Sequence, residues 1–81
     1  MQLQSSGAAA AKIEKMNIQD KIKKLQEQGY EVEDRGATRG KTGERVLYVN
    51  GTDLDEQFVD QLIGGASFAE VQYRRNKWLK S

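Results

Sequence analysis

The sequence contains no histidine and no cysteine. Histidine is the commonest general base near neutral pH and the commonest metal ligand. Without cysteine the chain can form no thiol nucleophile, zinc finger or disulfide framework. At 81 residues the chain is also too short to enclose a sizeable substrate cavity. These absences predict a protein that is not an enzyme, holds no metal or cofactor, and is cytoplasmic.

Long apolar runs are also absent. No stretch approaches the roughly 20 apolar residues of a membrane span, and the N-terminus lacks the pattern of a signal peptide. Apolar residues make up 37% of the chain and occur in periodic clusters, which is typical of a folded rather than a disordered chain. We therefore expect one small soluble domain with no membrane partner.

Charge is distributed unevenly along the chain, although the formal net charge is only +1. The charged residues of segment 35–45 are basic except for Glu44. Residues 46–70 carry only acidic charges, and residues 71–81 carry only basic charges. Such an uneven distribution of charge is informative about the binding partners of a protein rather than about its fold. The basic segments therefore become the candidate binding residues.

The chain changes character near Asn17. Apolar residues before Asn17 fall on the opposite side of a helix from the apolar stripe that follows it, which indicates a break there. We interpret residues 1–16 as a flexible N-terminal arm, or as a leader preceding a natural start at Met16. Residues 17–81 are predicted to form a single α+β domain.

Periodicity, turn residues and capping residues predict the elements of this domain. They are helices at 18–28, 54–63 and 68–79 and strands at 30–34 and 45–49. Asp53 with Glu56, and Ser67 with Glu70, match the capping box at the start of a helix. A strand near residue 68 is the alternative to the last helix. The predicted order is α-β-β-α-α, with a two-stranded antiparallel hairpin packed on two or three helices.

The predicted core follows from the apolar positions of these elements, whereas the lysines of the first helix, Lys21, Lys23 and Lys24, are expected to lie off its apolar stripe. The core positions are Ile18, Ile22, Leu25, Tyr30, Val32, Val46, Tyr48, Leu54, Phe58, Leu62, Phe68 and Val71.

The loop between the two strands contains glycines and basic residues. It differs from a phosphate-binding P-loop, because the spacing of its glycines is one residue short and a strand follows it rather than a helix. A glycine-containing positive arm can instead lie along a nucleic-acid backbone. The arm residues predicted to bind phosphates are Arg35, Arg39, Lys41 and Arg45.

The C-terminal segment mixes basic and aromatic residues. On a helix, Arg74 and Lys77, together with Asn76, project away from the side of Trp78, and arginine and asparagine can contact base edges. The alternative is a helix that packs Trp78 on the core and places its cations at the negative end of the helix dipole. The candidate binding residues of this helix are Arg74, Arg75 and Lys77.

Two further patterns occur within residues 53–80. The segment 53–80 resembles a helix-turn-helix unit in having a helix, a glycine-containing turn and a second helix. Its turn is short, and Asp60 stands where the unit has a small residue, so no family is assigned. The acidic residues Asp53, Asp55, Glu56 and Asp60 lack the spacing of a calcium loop, and we interpret them as capping residues and an acidic solvent face.

Together these patterns predict a small nucleic-acid-binding or regulatory protein, with DNA preferred slightly over RNA because no aromatic strand platform is apparent. The alternative is a protein-interaction module, either a subunit of a homodimer or other homo-oligomer, or an inhibitor that docks on a larger protein. The two predictions differ in whether the two basic segments meet on one face of the fold.

Overall fold

The structure, a computed structural model, describes Ile13 and residues 15–81. Most of the N-terminal arm or leader predicted for residues 1–16 therefore lies outside the described residues. The described part contains three helices and a three-stranded antiparallel sheet, which confirms the predicted α+β class. Its elements are α1 (Ile18–Glu27), β1 (Val32–Glu33), β2 (Val46–Val49), β3 (Thr52–Asp55), α2 (Glu56–Ile63) and α3 (Phe68–Lys80).

The first helix begins and ends where its capping residues predict. The backbone N–H of Asp20 donates to the Asn17 side chain at 2.8 Å, so Asn17 is the N-cap. At the other end Gly29 has φ 97°, a conformation that glycine adopts without strain. The N–H of Tyr30 then reaches back to the carbonyl of Leu25, which closes a Schellman motif.

The sheet contains a strand that the sequence analysis did not predict. Residues 52–55 form β3, antiparallel to β2, where we had expected Asp53 to cap a helix. Asn50 and Gly51 both have positive φ, so they form a tight turn that reverses the chain directly into β3. The next helix consequently begins later, with Asp55 at its N-cap position and without a side-chain capping bond.

The predicted hairpin between β1 and β2 is present, and its tip is shorter than the sequence indicated. Thr38 and Arg45 form an isolated bridge beyond the strands, and the N–H of Arg39 donates to the carbonyl of Glu44. This hydrogen bond closes the hairpin tip, residues 39–44, and only residues 40–43 lie beyond it. The ten residues between the predicted strands are largely a hydrogen-bonded extension of the hairpin rather than a loose loop.

The core lies between the sheet and the helices. Alternation along the antiparallel strands places Val32, Leu47, Val49 and Leu54 on the face toward the helices. Helix α2 covers this face, and α1 and α3 pack against α2. The core cluster consists of Leu25, Leu47, Val49, Leu54, Phe58, Val59, Leu62 and Val71, whereas Val46 is buried on the other face of the sheet, opposite Asp55.

Most predicted core positions are buried or pack against this cluster, but two assignments need correction. Tyr48 lies on the other face of the sheet and is only half-buried, while Leu47 and Val49 take the central positions. Lys21, predicted to lie off the apolar stripe, is only 2% exposed. It stands three residues after Ile18 and four before Leu25, and this spacing places it on the buried side of α1.

Residues 68–80 form a helix rather than the alternative strand. The N–H of Glu70 donates to the Ser67 side chain, which caps α3 as predicted. Val71 is buried, and Trp78 contacts Phe58 edge to face at a centroid distance of 5.8 Å. None of the helices in the described part has the length and apolar character needed to cross a membrane.

Candidate functional site

The second face of the sheet holds a cluster of charges. Asp53 and Asp55 alternate with Leu54 on β3, so their side chains point away from the core face. Arg39, from the hairpin tip, reaches over this face and donates to Asp55 at 2.6 Å and to Asp53 at 3.0 Å. Asp55 is fully buried beneath this guanidinium. Arg39 therefore neutralises the carboxylates of β3 and shields them from solvent.

Arg75 brings α3 to the same cluster. It donates to the backbone carbonyl of Asp53 at 2.7 Å and to its carboxylate at 2.6 Å. The two basic segments therefore meet, as the nucleic-acid hypothesis required. They meet around Asp53, which accepts hydrogen bonds from both Arg39 and Arg75. Two of the predicted phosphate ligands are thus bound to carboxylates of their own chain.

The other three candidate arginines are paired within the chain as well. Arg45 binds Asp34 at 2.6 Å. Arg35 binds Glu33 at 3.0 Å and stacks over the ring of Tyr48 at 4.2 Å from its centroid.

Arg74 binds Glu70 one helical turn away, at 2.7 Å, and also donates to the amide of Gln61. More than half of the Arg35 side chain and almost half of the Arg74 side chain remain exposed, so these exposed pairs are weak and can exchange with other anions.

The ion pairs change the protonation behaviour of their members. Burial raises the pKa of Asp53, but hydrogen bonds and charges from Arg39 and Arg75 outweigh it and leave this pKa below its ordinary value. Asp34 also has a lowered pKa, mainly because Arg45 donates to it and secondarily because the N–H of Gly36 does. Both carboxylates are therefore ionised throughout the neutral range.

The acidic residues of the middle segment do not form the solvent-facing surface that we expected. Asp53 and Asp55 hold the arginines of the sheet face, whereas Glu56 and Asp60 contact Lys21 at 2.6 and 2.7 Å. Burial lowers the pKa of Lys21, but hydrogen bonds and charges from these two carboxylates have a larger, opposite effect. The pKa of Lys21 therefore lies above its ordinary value. The acidic segment thus binds basic residues of α1, the hairpin and α3.

The exposed side of α3 is basic, and its lysines are not paired with the acidic segment. Tyr73, Lys77 and Lys80 follow at i, i+4 and i+7, with Asn76 beside them, and all four are exposed. The ammonium of Lys77 lies 5.4 Å from the centre of the Tyr73 ring. The only carboxylate of α3 is Glu70, which Arg74 engages. Tyr73 and Lys80 are not among the nucleic-acid-binding residues predicted from the sequence, although their helical spacing with Lys77 was a usable signal.

Lys41 lies apart from that surface, beside a groove between the hairpin tip and the end of α3. The groove is lined by Arg39, Lys41, Thr42, Trp78, Leu79 and Ser81. The lining residues that the structure describes include no acidic side chain, and Leu79 is 40% exposed. Among the described residues, neither Lys41 nor Lys77 nor Lys80 has a carboxylate within ion-pairing distance.

Comparison of the chain with protein families, with curated proteins and with solved structures finds no match.

Proposed function

We propose that this chain is a small non-enzymatic nucleic-acid-binding protein that docks the exposed side of α3 on a duplex. The observation that carries the proposal is the composition of that side. Among the described residues Lys77 and Lys80 have no ion pair, Tyr73 and Asn76 lie beside them, and the single carboxylate of the helix is already engaged. Positive side chains interleaved with an aromatic ring and an amide are suited to phosphates and base edges.

The seven predicted binding residues have different roles in this proposal. Lys77, with Lys80 beside it, and Arg74, whose exposed pair with Glu70 can exchange, contact phosphates. Lys41 lies apart from them, beside the groove at the hairpin tip, and is not part of the contact that α3 makes. Arg39, Arg45 and Arg75 hold the hairpin and α3 in place through carboxylates of the chain. Arg35 covers Tyr48. The location proposed is the cytoplasm, and DNA remains the preferred ligand.

A titration of a fluorescent DNA duplex at two salt concentrations tests this function. Three phosphate contacts, from Arg74, Lys77 and Lys80, should weaken binding roughly 40-fold between about 50 and about 200 mM salt, because each contact releases a counterion. The double variant Lys77→Glu, Lys80→Glu should bind more weakly at low salt. Its affinity should change only about 3.5-fold over the same salt range, which corresponds to one remaining contact.

The matched control is Lys23→Glu with Lys24→Glu on the exposed side of α1. It produces the same change in net charge and should leave both the affinity and the salt dependence nearly unchanged. Equal loss in the two double variants would show that binding follows net charge rather than α3. Absence of binding by the wild-type protein at low salt would refute the proposal.

The alternative, a protein-interaction module, has a definite surface in the groove beside Lys41. Because the described lining of this groove combines Trp78 and Leu79 with Lys41 and includes no acidic side chain, its partner would be an acidic protein segment with an apolar side chain. The homodimer version has less support. The acidic segment 46–70 could pair with the basic segments of a second copy, but it binds basic residues of its own chain. Sedimentation equilibrium showing a strict monomer would remove that version.

A further inference from the structure

Asn76 is an exposed residue whose side-chain orientation is set by its neighbour. The Nη1 of Arg75 donates to the Oδ1 of Asn76 at 2.6 Å. A guanidinium nitrogen can only donate, so the amide oxygen of Asn76 must face Arg75 and the amide NH₂ must face the other way. The exposed end of this side chain therefore carries hydrogen-bond donors.

Arg75 is itself firmly positioned. Its Nε donates to the carbonyl oxygen of Asp53 and its Nη2 to the carboxylate of Asp53, and only 17% of the side chain is exposed. Asp53 is held in turn by Arg39. The sequence of contacts Arg39–Asp53–Arg75–Asn76 thus connects the hairpin tip to one amide on the exposed side of α3.

This orientation matters for the base that Asn76 can recognise in a major groove. Adenine presents a donor beside an acceptor, so an asparagine that reads adenine needs both its NH₂ and its oxygen. Guanine presents two acceptors, N7 and O6. The oxygen of Asn76 is engaged by Arg75, and its NH₂ is available.

We propose that Asn76 contacts a base edge and favours guanine over adenine, because Arg75 holds the amide oxygen toward itself and leaves the NH₂ as the group that faces outward. The inference rests on the proposed function and assigns one residue of that surface a part in specificity. Arg75 is a positioning residue for this contact, since it acts through Asn76 and touches no base.

Selection from a pool of randomised duplexes, followed by titration of the selected site, tests the inference. The wild-type protein should enrich guanine at one position or more. Replacing that guanine by 7-deazaguanine, which lacks the N7 acceptor, should weaken binding roughly tenfold. In Asn76→Ala the same replacement should have no effect, while the salt dependence of binding stays as in the wild type.

Two further variants separate positioning from folding. Gln72→Ala, on the half-buried side of α3, is the control and should keep the sensitivity to 7-deazaguanine. Arg75→Lys removes the donor that holds the amide oxygen and should bring affinities for guanine and adenine sites closer together, with the fold checked by circular dichroism. If the Arg75→Lys variant kept the preference for guanine, Arg75 would not be needed to position Asn76.

The outcomes distinguish this inference from the proposed function. Enrichment of adenine, or a guanine preference that survives Asn76→Ala, overturns the inference and leaves nucleic-acid binding in place. Salt-dependent binding with no base preference also overturns the inference and leaves nucleic-acid binding in place. Failure of the wild-type protein to bind any duplex at low salt overturns both.

Discussion

Asp53 accepts hydrogen bonds from two arginines that lie far apart in the sequence. Arg39 comes from the hairpin tip and Arg75 from α3, and both side chains are mostly withdrawn from solvent. Asp55, two residues further along β3, is completely buried and depends on Arg39 for its charge partner. Arg39 and Arg75, which the sequence predicts to bind phosphates, therefore stabilise the folded chain.

Replacing Arg39 tests that role. Arg39→Met keeps the length of the side chain but leaves Asp55 as a buried carboxylate without its cation, so we expect the free energy of unfolding to fall by about 3 kcal/mol. Arg35→Met, which breaks the exposed pair with Glu33, should cost no more than about 1 kcal/mol. Denaturation by urea measures both. Similar losses in the two variants would mean that Arg39 is an ordinary surface residue.

At the scale of elements, most helix positions could be predicted from the sequence because their signals are local. Asn17 and Ser67 cap α1 and α3 as their sequence positions indicate, and Gly29 ends α1. Strand β3 was missed because aspartate at positions 53 and 55 disfavours a strand in isolation. Arg39 and Arg75 neutralise these aspartates only in the folded chain.

The cap of α3 gives a prediction for a single element. Ser67→Ala removes the acceptor for the N–H of Glu70 and should lower the free energy of unfolding by about 1 kcal/mol. Ser67→Asp should retain the stability of the wild type, since a carboxylate both accepts this hydrogen bond and interacts favourably with the helix dipole. Thermal denaturation followed by circular dichroism provides the comparison. Equal stability of the alanine variant and the wild type would contradict the capping role.

At the scale of the whole molecule, charges that are segregated along the sequence are paired in the fold. The acidic segment 46–70 contacts α1 through Lys21, the hairpin through Arg39 and α3 through Arg75. These contacts join all the parts of the described structure. Their strength should depend on the ionisation of the carboxylates, and stability should therefore depend on pH.

Acidification should destabilise the protein in a defined range. The pKa values of Asp53 and Asp34 are lower in the folded chain than their ordinary values, so both carboxylates bind protons more readily when unfolded. The stability that they contribute is present above about pH 4, the ordinary pKa of aspartate, and is lost as the pH falls below it. Urea denaturation between about pH 2 and about pH 7 measures this dependence.

Asp53→Asn should be less stable than the wild type at neutral pH and should lose less stability on acidification, since one titrating group has been removed. The control is Glu31→Gln, which changes an exposed carboxylate that has no ion pair among the described residues. A pH profile of Asp53→Asn parallel to that of the wild type would show that Asp53 contributes nothing to acid sensitivity.

The sequence by itself determined the α+β class, the three helices of the described part, the Asn50-Gly51 turn and most of the core. Each depends on spacing, capping or turn chemistry within a few residues of the chain. The tertiary structure alone decided the charge partners, since Arg39 and Arg75 lie 14 and 22 residues from Asp53 and no local pattern connects them. It thereby separated the cations that stabilise the fold from Lys77 and Lys80, which have no ion pair among the described residues.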